Sequence, residues 1–431
     1  MLTELVIFTG QPTKEADDTN VYVYDLHTSS PVATFKQSAT SQNGLAINSE
    51  RVFVAQYDKA IINVYRWKSE AASQRWIVPE KLRCIAVTDT WLVGGTQSGR
   101  LYLWEIASGN LIFAKEAHYS SVSSIEFSWN ESQVLTGGED AVAMVWNLTD
   151  LIRTDCGSEE IQPVHTHRQH SKRIACVAWG LGHRNYTASS DGTVCIRQRD
   201  DLLTTLLFPS PLTAMAVDQC ERAVYVGCED GLIACADLYS GDPVRAVGGE
   251  GSVISSGREE SNSFKGNKSP VVHLCLNYDA SLLVSATMDG RIMVWDVPSR
   301  QILRTVKQIN PSIISLKLLM KPDGLLERKA QVQEQLPSLK RIQTLASDMD
   351  HHEIWLKLED AGEVGYCGLD IDDIDLAQQA FQRSDAPQSG PPLSTSTRDL
   401  EEELKRMHVM YAELRDTYDA LWKESQKLRG K

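Results

Sequence analysis

No stretch of the sequence holds the roughly 18 consecutive apolar residues that a membrane-spanning helix needs. The opening run MLTELVIFTG has no basic region ahead of its short apolar stretch, so no secretory signal is expected. Basic charge is scarce: 43 Lys plus Arg face 57 Asp plus Glu, a formal net charge of -14 that disfavours general binding to nucleic-acid phosphates. Cysteine offers no paired pattern either. The nine residues, Cys84, Cys156, Cys176, Cys195, Cys220, Cys228, Cys235, Cys275 and Cys367, are odd in number and lie mostly in apolar, strand-like runs. Buried free thiols in a reducing, intracellular compartment follow, and the sequons at Asn130, Asn147, Asn185 and Asn267 are then expected to be chance matches.

Chemistry-bearing motifs are missing as well. GNKS at 266–269 has Asn between Gly and Lys and lacks the earlier glycine of a phosphate-cradling loop. DIDDID, in an acidic stretch at 359–375, lacks the glycine and oxygen spacing of a calcium loop. Cys156, His165, His167 and His170 are metal-ligating types, but their spacing fits no standard zinc site, and a polar loop is the expectation. With no nucleophile elbow or cofactor loop, the sequence predicts a protein without catalytic, cofactor or metal site. The apolar fraction of 42% and charged fraction of 23% still allow a sizeable core.

What the sequence does have is repetition. SGRLYLWEIASGNLIF (98–113), EDAVAMVWNL (139–148), DGTVCIRQRDDLLTTLLF (191–208), DGLIACADLYSGDPVRAV (230–247) and DGRIMVWDVPSRQILRTV (289–306) each read as a tight turn, an alternating strand, a second turn and another strand. Aligned on one aromatic position or its replacement, Tyr24, Tyr65, Trp104, Trp146, Arg197, Ala236 and Trp295 mark seven units spaced 41, 39, 42, 51, 39 and 59 residues apart. Six residues before the marker stands Asp18, Ser98, Asp140, Asp191, Asp230 or Asp289, with Asp58 seven before in the second unit. A short polar side chain here can bond nearby amides and stabilise a tight turn. The long sixth gap holds a Gly- and Ser-rich insertion, 248–269, expected to be a mobile loop.

These repeats resemble the WD40 family over about three quarters of the chain. The resemblance implies an all-β, seven-bladed β-propeller in which a His, a Ser or Thr, the turn Asp and the Trp form a buried structural network. The matching residues are His118, Thr136, Asp140 and Trp146 in the fourth unit, His170 and Asp191 in the fifth, and Asp289 and Trp295 in the seventh. The first unit offers only three strands, so PSIISLKLLMKPDG (311–324) is expected to supply its innermost strand through 312–320 and close the ring over residues 1–324.

Beyond the ring, 325–382 reads as a non-repeat extension packing on the propeller, and 383–397, rich in Pro and Ser, as a flexible linker. Residues 398–431 read as a coiled-coil α-helix opened by a capping box at STRD. Its seam runs through Leu400, Met407, Leu414, Leu421 and Leu428 in one heptad series and Leu404, Tyr411 and Tyr418 in the other. Self-pairing, docking into another protein's groove and folding back on the ring all remain open.

The order of parts, from the N-terminal strand through the ring-closing strand and the LPSLKRI-containing extension to the heptad helix, resembles the Ipi-type WD-repeat subunits of the rixosome. That resemblance implies a non-enzymatic scaffold in the nucleus, at nucleolus and nucleoplasm, assembling pre-60S ribosomal particles. It implies partners: a large helical-repeat scaffold subunit, a smaller helical subunit, the midasin AAA ATPase and the pre-60S particle, in support of internal transcribed spacer 2 processing. A role at replication origins has also been attached to the family. RNA contact would be local, at residues such as Lys172 and Arg173, and no membrane is involved. The alternative is a substrate receptor of a cullin-type ubiquitin ligase or another chromatin-associated adaptor, for which WDVPSR, with Arg300 four residues after Asp296, is a weak match.

Overall fold

The computed structural model describes residues 4–10, 20–36, 38–67, 69–152, 161–180, 183–238, 252–255, 263–308, 312–322 and 336–342. The chain divides into compact units Met1–Trp355 and Leu356–Lys431, and every described residue belongs to the first. The linker at 383–397 and the helix seam from Leu400 to Leu428 lie outside the described residues.

The described strands form seven sheets, one per blade. From inner to outer strand, blade 1 is Ile313–Met320, Glu4–Gly10, Val21–Asp25 and Pro31–Phe35. Blade 2 is Thr40–Ile47, Arg51–Gln56, Ile61–Arg66 and Gln74–Ile77. Blade 3 is Leu82–Val87, Trp91–Thr96, Arg100–Glu105 and Leu111–Glu116. Blade 4 is Val122–Phe127, Gln133–Gly138, Ala143–Asn147 and His165–His167, with the short helix Leu148–Ile152 before its outer strand. Blade 5 is Ile174–Trp179, Arg184–Ser189, Thr193–Gln198 and Asp201–Leu207. Blade 6 is Leu212–Val217, Ala223–Cys228, Ile233–Asp237 and Ser263–Phe264, and blade 7 is Val271–Leu276, Leu282–Thr287, Arg291–Asp296 and Ile302–Gln308.

The second and third strands are apolar on both faces because each blade is sandwiched between two neighbours. Leu5, Val6, Ile7 and Phe8 are all fully buried, as are Val52, Phe53 and Val54 in blade 2. The seven markers each take the next-to-last position of a third strand. Ring closure is explicit in the register: Glu4 pairs Met320, Val6 pairs Leu318 and Phe8 pairs Leu316, antiparallel. Val6 and Phe8 then pack with Val284, Ile292 and Leu316, so the blade 7–blade 1 seam is an apolar cluster like the others.

The insertion corrects one expectation. Within 248–269, Ser252–Ser255 adds a fifth, parallel strand to blade 5 in the register Thr204 to Ser252 through Leu207 to Ser255. Ser263–Phe264 supplies the outer strand of blade 6, pairing Ile233 with Phe264. Phe264, 1% exposed, edges against Trp295 at 5.7 Å and Tyr225 at 6.1 Å. One aromatic anchor thus offsets the ordering cost of a polar stretch. No helix among the described residues is long and apolar enough to cross a membrane.

Candidate interaction surfaces

The antiparallel blades gather the starts of the inner strands, with the turns between second and third strands, at one end of the ring, called here the upper end. At that end blade 4 builds its network. His118 bonds Asp140 through Nδ1 at 3.1 Å and Thr136 Oγ1 through Nε2 at 3.0 Å, and Trp146 Nε1 donates to the same hydroxyl at 3.3 Å. The amides of Tyr119 and Val142 donate to the Asp140 carboxylate, each at 3.1 Å. Burial alone would raise the Asp140 carboxyl, but the His118 hydrogen bond and charge and the two amides outweigh it and hold it below the usual carboxylate range.

Blade 5 keeps the geometry with different donors. His170 reaches Thr193 Oγ1 at 2.9 Å and Thr187 Oγ1 at 2.8 Å, while the Ser171 amide donates to Asp191 at 2.9 Å. Its marker Arg197 is 4% exposed and faces Asn185, where the other blades place Val or Leu opposite the marker. Arg197 Nη1 donates to the Asp200 carbonyl at 3.3 Å, and burial lowers its pKa from the usual arginine value. On the adjoining outer strand of blade 4, His167 is pushed down to about 4 by burial first and then by the Arg197 charge. In blade 7, Ser269 takes the histidine's task and bonds Asp289, and Trp295 Nε1 donates to Ser285 Oγ at 2.8 Å. In blade 6, Ser210 bonds Asp230 at 2.6 Å while the marker is only Ala236.

The upper end opens into a cavity of about 400 Å³ over the central channel, ringed by Tyr57, Arg83, Glu139, Arg173, Met288 and Ile314. Arg83 is already engaged, with Glu139 at 2.7 Å and Ser121 Oγ at 2.6 Å. Lys172 and Arg173 are exposed at this end, and Arg173 Nε donates to Ser190 Oγ at 3.2 Å. Tyr119, 93% exposed, stands beside the blade 4 network, whereas Trp129 and Tyr278 project from turns at the opposite end. Deeper in the channel, burial raises Glu126 to about 7 against the opposing charge of Lys317. His273 falls to about 4, again chiefly by burial, with the Ile314 carbonyl opposing.

The structure therefore brings His118, Thr136, Asp140 and Trp146 into one hydrogen-bonded unit, joins His170 to Asp191 at 3.4 Å, and separates Asp289 from Trp295 into two local contacts. Asp58 lies, as expected, in the turn between the second and third strands of blade 2, where it is exposed and pairs with Lys81 at 2.8 Å; Asp18 lies outside the described residues. His165 and His167 stack with ring centroids 6.0 Å apart, yet no group of three or more His, Cys, Asp or Glu among the described residues is placed to hold a metal. Cys156 lies outside them. Burial pushes the thiols of Cys84, Cys176, Cys228 and Cys235 up to about 12, leaving almost no thiolate at neutral pH. Sequence reasoning missed the half-buried Glu126, which feels the Lys317 charge across the channel, and the partner of Trp104. The first leaves no local pattern, but Gly94, ten residues before Trp104 where blade 4 has Thr136, signalled an indole in need of another acceptor.

Ring, turns and networks define a WD-repeat propeller, and the family described as WD domain, G-beta repeat matches residues 109–147, 161–197 and 258–296, which contain the markers of blades 4, 5 and 7. Over 99% of its length the chain is 32% identical to the Pre-rRNA-processing protein IPI3 of Yarrowia lipolytica, all of which is covered. It is 27% identical to the Pre-rRNA-processing protein crb3/ipi3 of Schizosaccharomyces pombe, over 97% of this chain and 99% of that one. It is 29% identical to WD repeat-containing protein 18 of Mus musculus, over 74% of each. The chain belongs to the IPI3 family of pre-rRNA-processing WD-repeat proteins.

Proposed function

We propose that this chain is a non-enzymatic scaffold subunit of a nuclear complex that processes pre-rRNA and assembles pre-60S ribosomal particles. The observation that carries the reading is the end-to-end similarity to proteins named for pre-rRNA processing, which spans ring, extension and C-terminal segment alike. Family membership supports the role in ribosome biogenesis, and a propeller whose polar networks are spent on its own turns agrees with a binding rather than a catalytic task. In the finer reading, the subunit joins a large helical-repeat scaffold and a smaller helical protein, works with midasin, and supports internal transcribed spacer 2 processing. Its C-terminal heptads pair two copies, which doubles the valency of each propeller surface.

Affinity purification of the full chain from nuclear extract, read by mass spectrometry, tests this. Recovery of preribosomal factors and midasin is expected; recovery of a cullin adaptor instead, or of neither, overturns it. For the helix, Leu414→Asp with Leu421→Asp should abolish self-association in sedimentation while leaving the propeller's melting unchanged. Loss of the fold in that variant would mean that the seam packs on the ring.

A further inference from the structure

Blade 3 carries the marker Trp104 without the partners that the repeat network needs. Gly94 stands where blade 4 has Thr136, so no hydroxyl is there to take the indole proton. Trp104 Nε1 instead donates to the carbonyl of Lys340 at 3.0 Å, 236 residues away in the non-repeat extension. The Lys340 amide donates in turn to the Gly109 carbonyl at 2.7 Å, and Gln74 Nε2 to the Leu336 carbonyl at 2.8 Å. Leu339, 6% exposed, enters the apolar cluster of Trp76, Tyr102 and Trp104, and Leu336 packs against it. Gly109 has φ +71°, and a Cβ there would lie 2.6 Å from the Ser338 carbonyl oxygen, so only glycine permits the approach.

We propose that the rim groove of blades 2 and 3 is a docking site whose ligand is the chain's own residues 336–342, and that this clasp, rather than the ring-closing strand, sets where the chain leaves the ring. Recognition is divided between main-chain hydrogen bonds and two leucine sockets, with Trp104 as the specificity-determining residue. The strand closing the ring ends at Met320, and the chain is gripped again at Leu336. Lys340, Arg341 and Ile342 have exposed side chains while the Lys340 backbone is pinned at both its amide and its carbonyl. The clasp is independent of how the C-terminal heptads pair, and its failure would leave the assembly reading intact.

Limited trypsin digestion of the full chain tests it, because Lys340 and Arg341 are accessible side chains on a backbone that must detach before it can be cut. Leu339→Asp is expected to raise the rate of cleavage after Lys340 or Arg341 by about tenfold or more, with the melting of the ring shifted by only a few degrees. Trp104→Phe loses the donor and leaves a small void in the cluster, and is expected to raise the same cleavage by a smaller factor. Equal cleavage of the wild-type and Leu339→Asp chains overturns the proposal. If Leu339→Asp unfolds the ring, Trp104→Phe decides: unchanged cleavage shows that the segment is ordinary core and not a docked ligand.

Discussion

The Thr136 hydroxyl accepts from Trp146 and bonds His118, so one buried oxygen ties the second strand of blade 4 to the third and to the loop ahead of the first. Next to it, Ala141 holds φ +64° at the turn position that Gly192, Gly231 and Gly290 occupy in blades 5, 6 and 7, a strain the Asp140 bonds must outweigh. The channel shows the opposite economy: Glu126, half-buried, is held near pH 7 because desolvation exceeds the help of Lys317. A carboxyl whose folded pKa is raised stabilises the fold fully below its unfolded value near 4.5 and loses that contribution as pH rises toward about 7. Glu126→Gln is therefore expected to stabilise the chain by roughly 1–2 kcal/mol at pH 8, after discounting for channel water, and by nothing near pH 4. Thermal melting at the two pH values checks this, and an equal gain at both would refute it. The Asp and Trp of this scale were legible because turn chemistry and indole packing recur at fixed spacing. Glu126 was not, since the Lys317 charge it feels lies across the channel.

Among elements, the strand Ser263–Phe264 is the least conspicuous in sequence and among the more consequential in packing. Two residues in a Gly- and Ser-rich insertion give no period to read, and the expected second strand of the sixth unit drew attention to 243–247 instead. What determines the element is Phe264, buried between Tyr225 and Trp295. Phe264→Ala should cost roughly 3–5 kcal/mol, measured by urea unfolding, whereas a residue on a free loop would cost under about 0.5 kcal/mol. The seven third strands, by contrast, could be placed from their markers, and the ring-closing strand from the count of strands missing in the first unit. The clasp at 336–342 escaped because main-chain groups recognise it, and they leave no trace in residue type apart from the absence of a hydroxyl at Gly94.

At the scale of the whole molecule, apolar clusters join each blade to the next, and the last blade meets the first through Val6, Phe8, Val284 and Ile292. Each blade lends its faces to both neighbours, so stability is shared around the circle rather than stored in one core. A chain ended at residue 311 keeps six complete blades but strips the inner strand from blade 1, exposing Leu5 and Ile7 along an unpaired edge. It is expected to aggregate or to show no cooperative melting in calorimetry, and a sharp transition at the wild-type temperature would contradict that. The pairing of Glu4–Gly10 with Ile313–Met320 also sets a clock. At roughly 5–20 residues per second of synthesis, the strand Glu4–Gly10 must wait on the order of 15–60 seconds for its partner to leave the ribosome. During that interval a nascent chain carries an open, sticky margin that is hidden only once Ile313–Met320 has emerged, so closure itself reports that translation has passed the last blade.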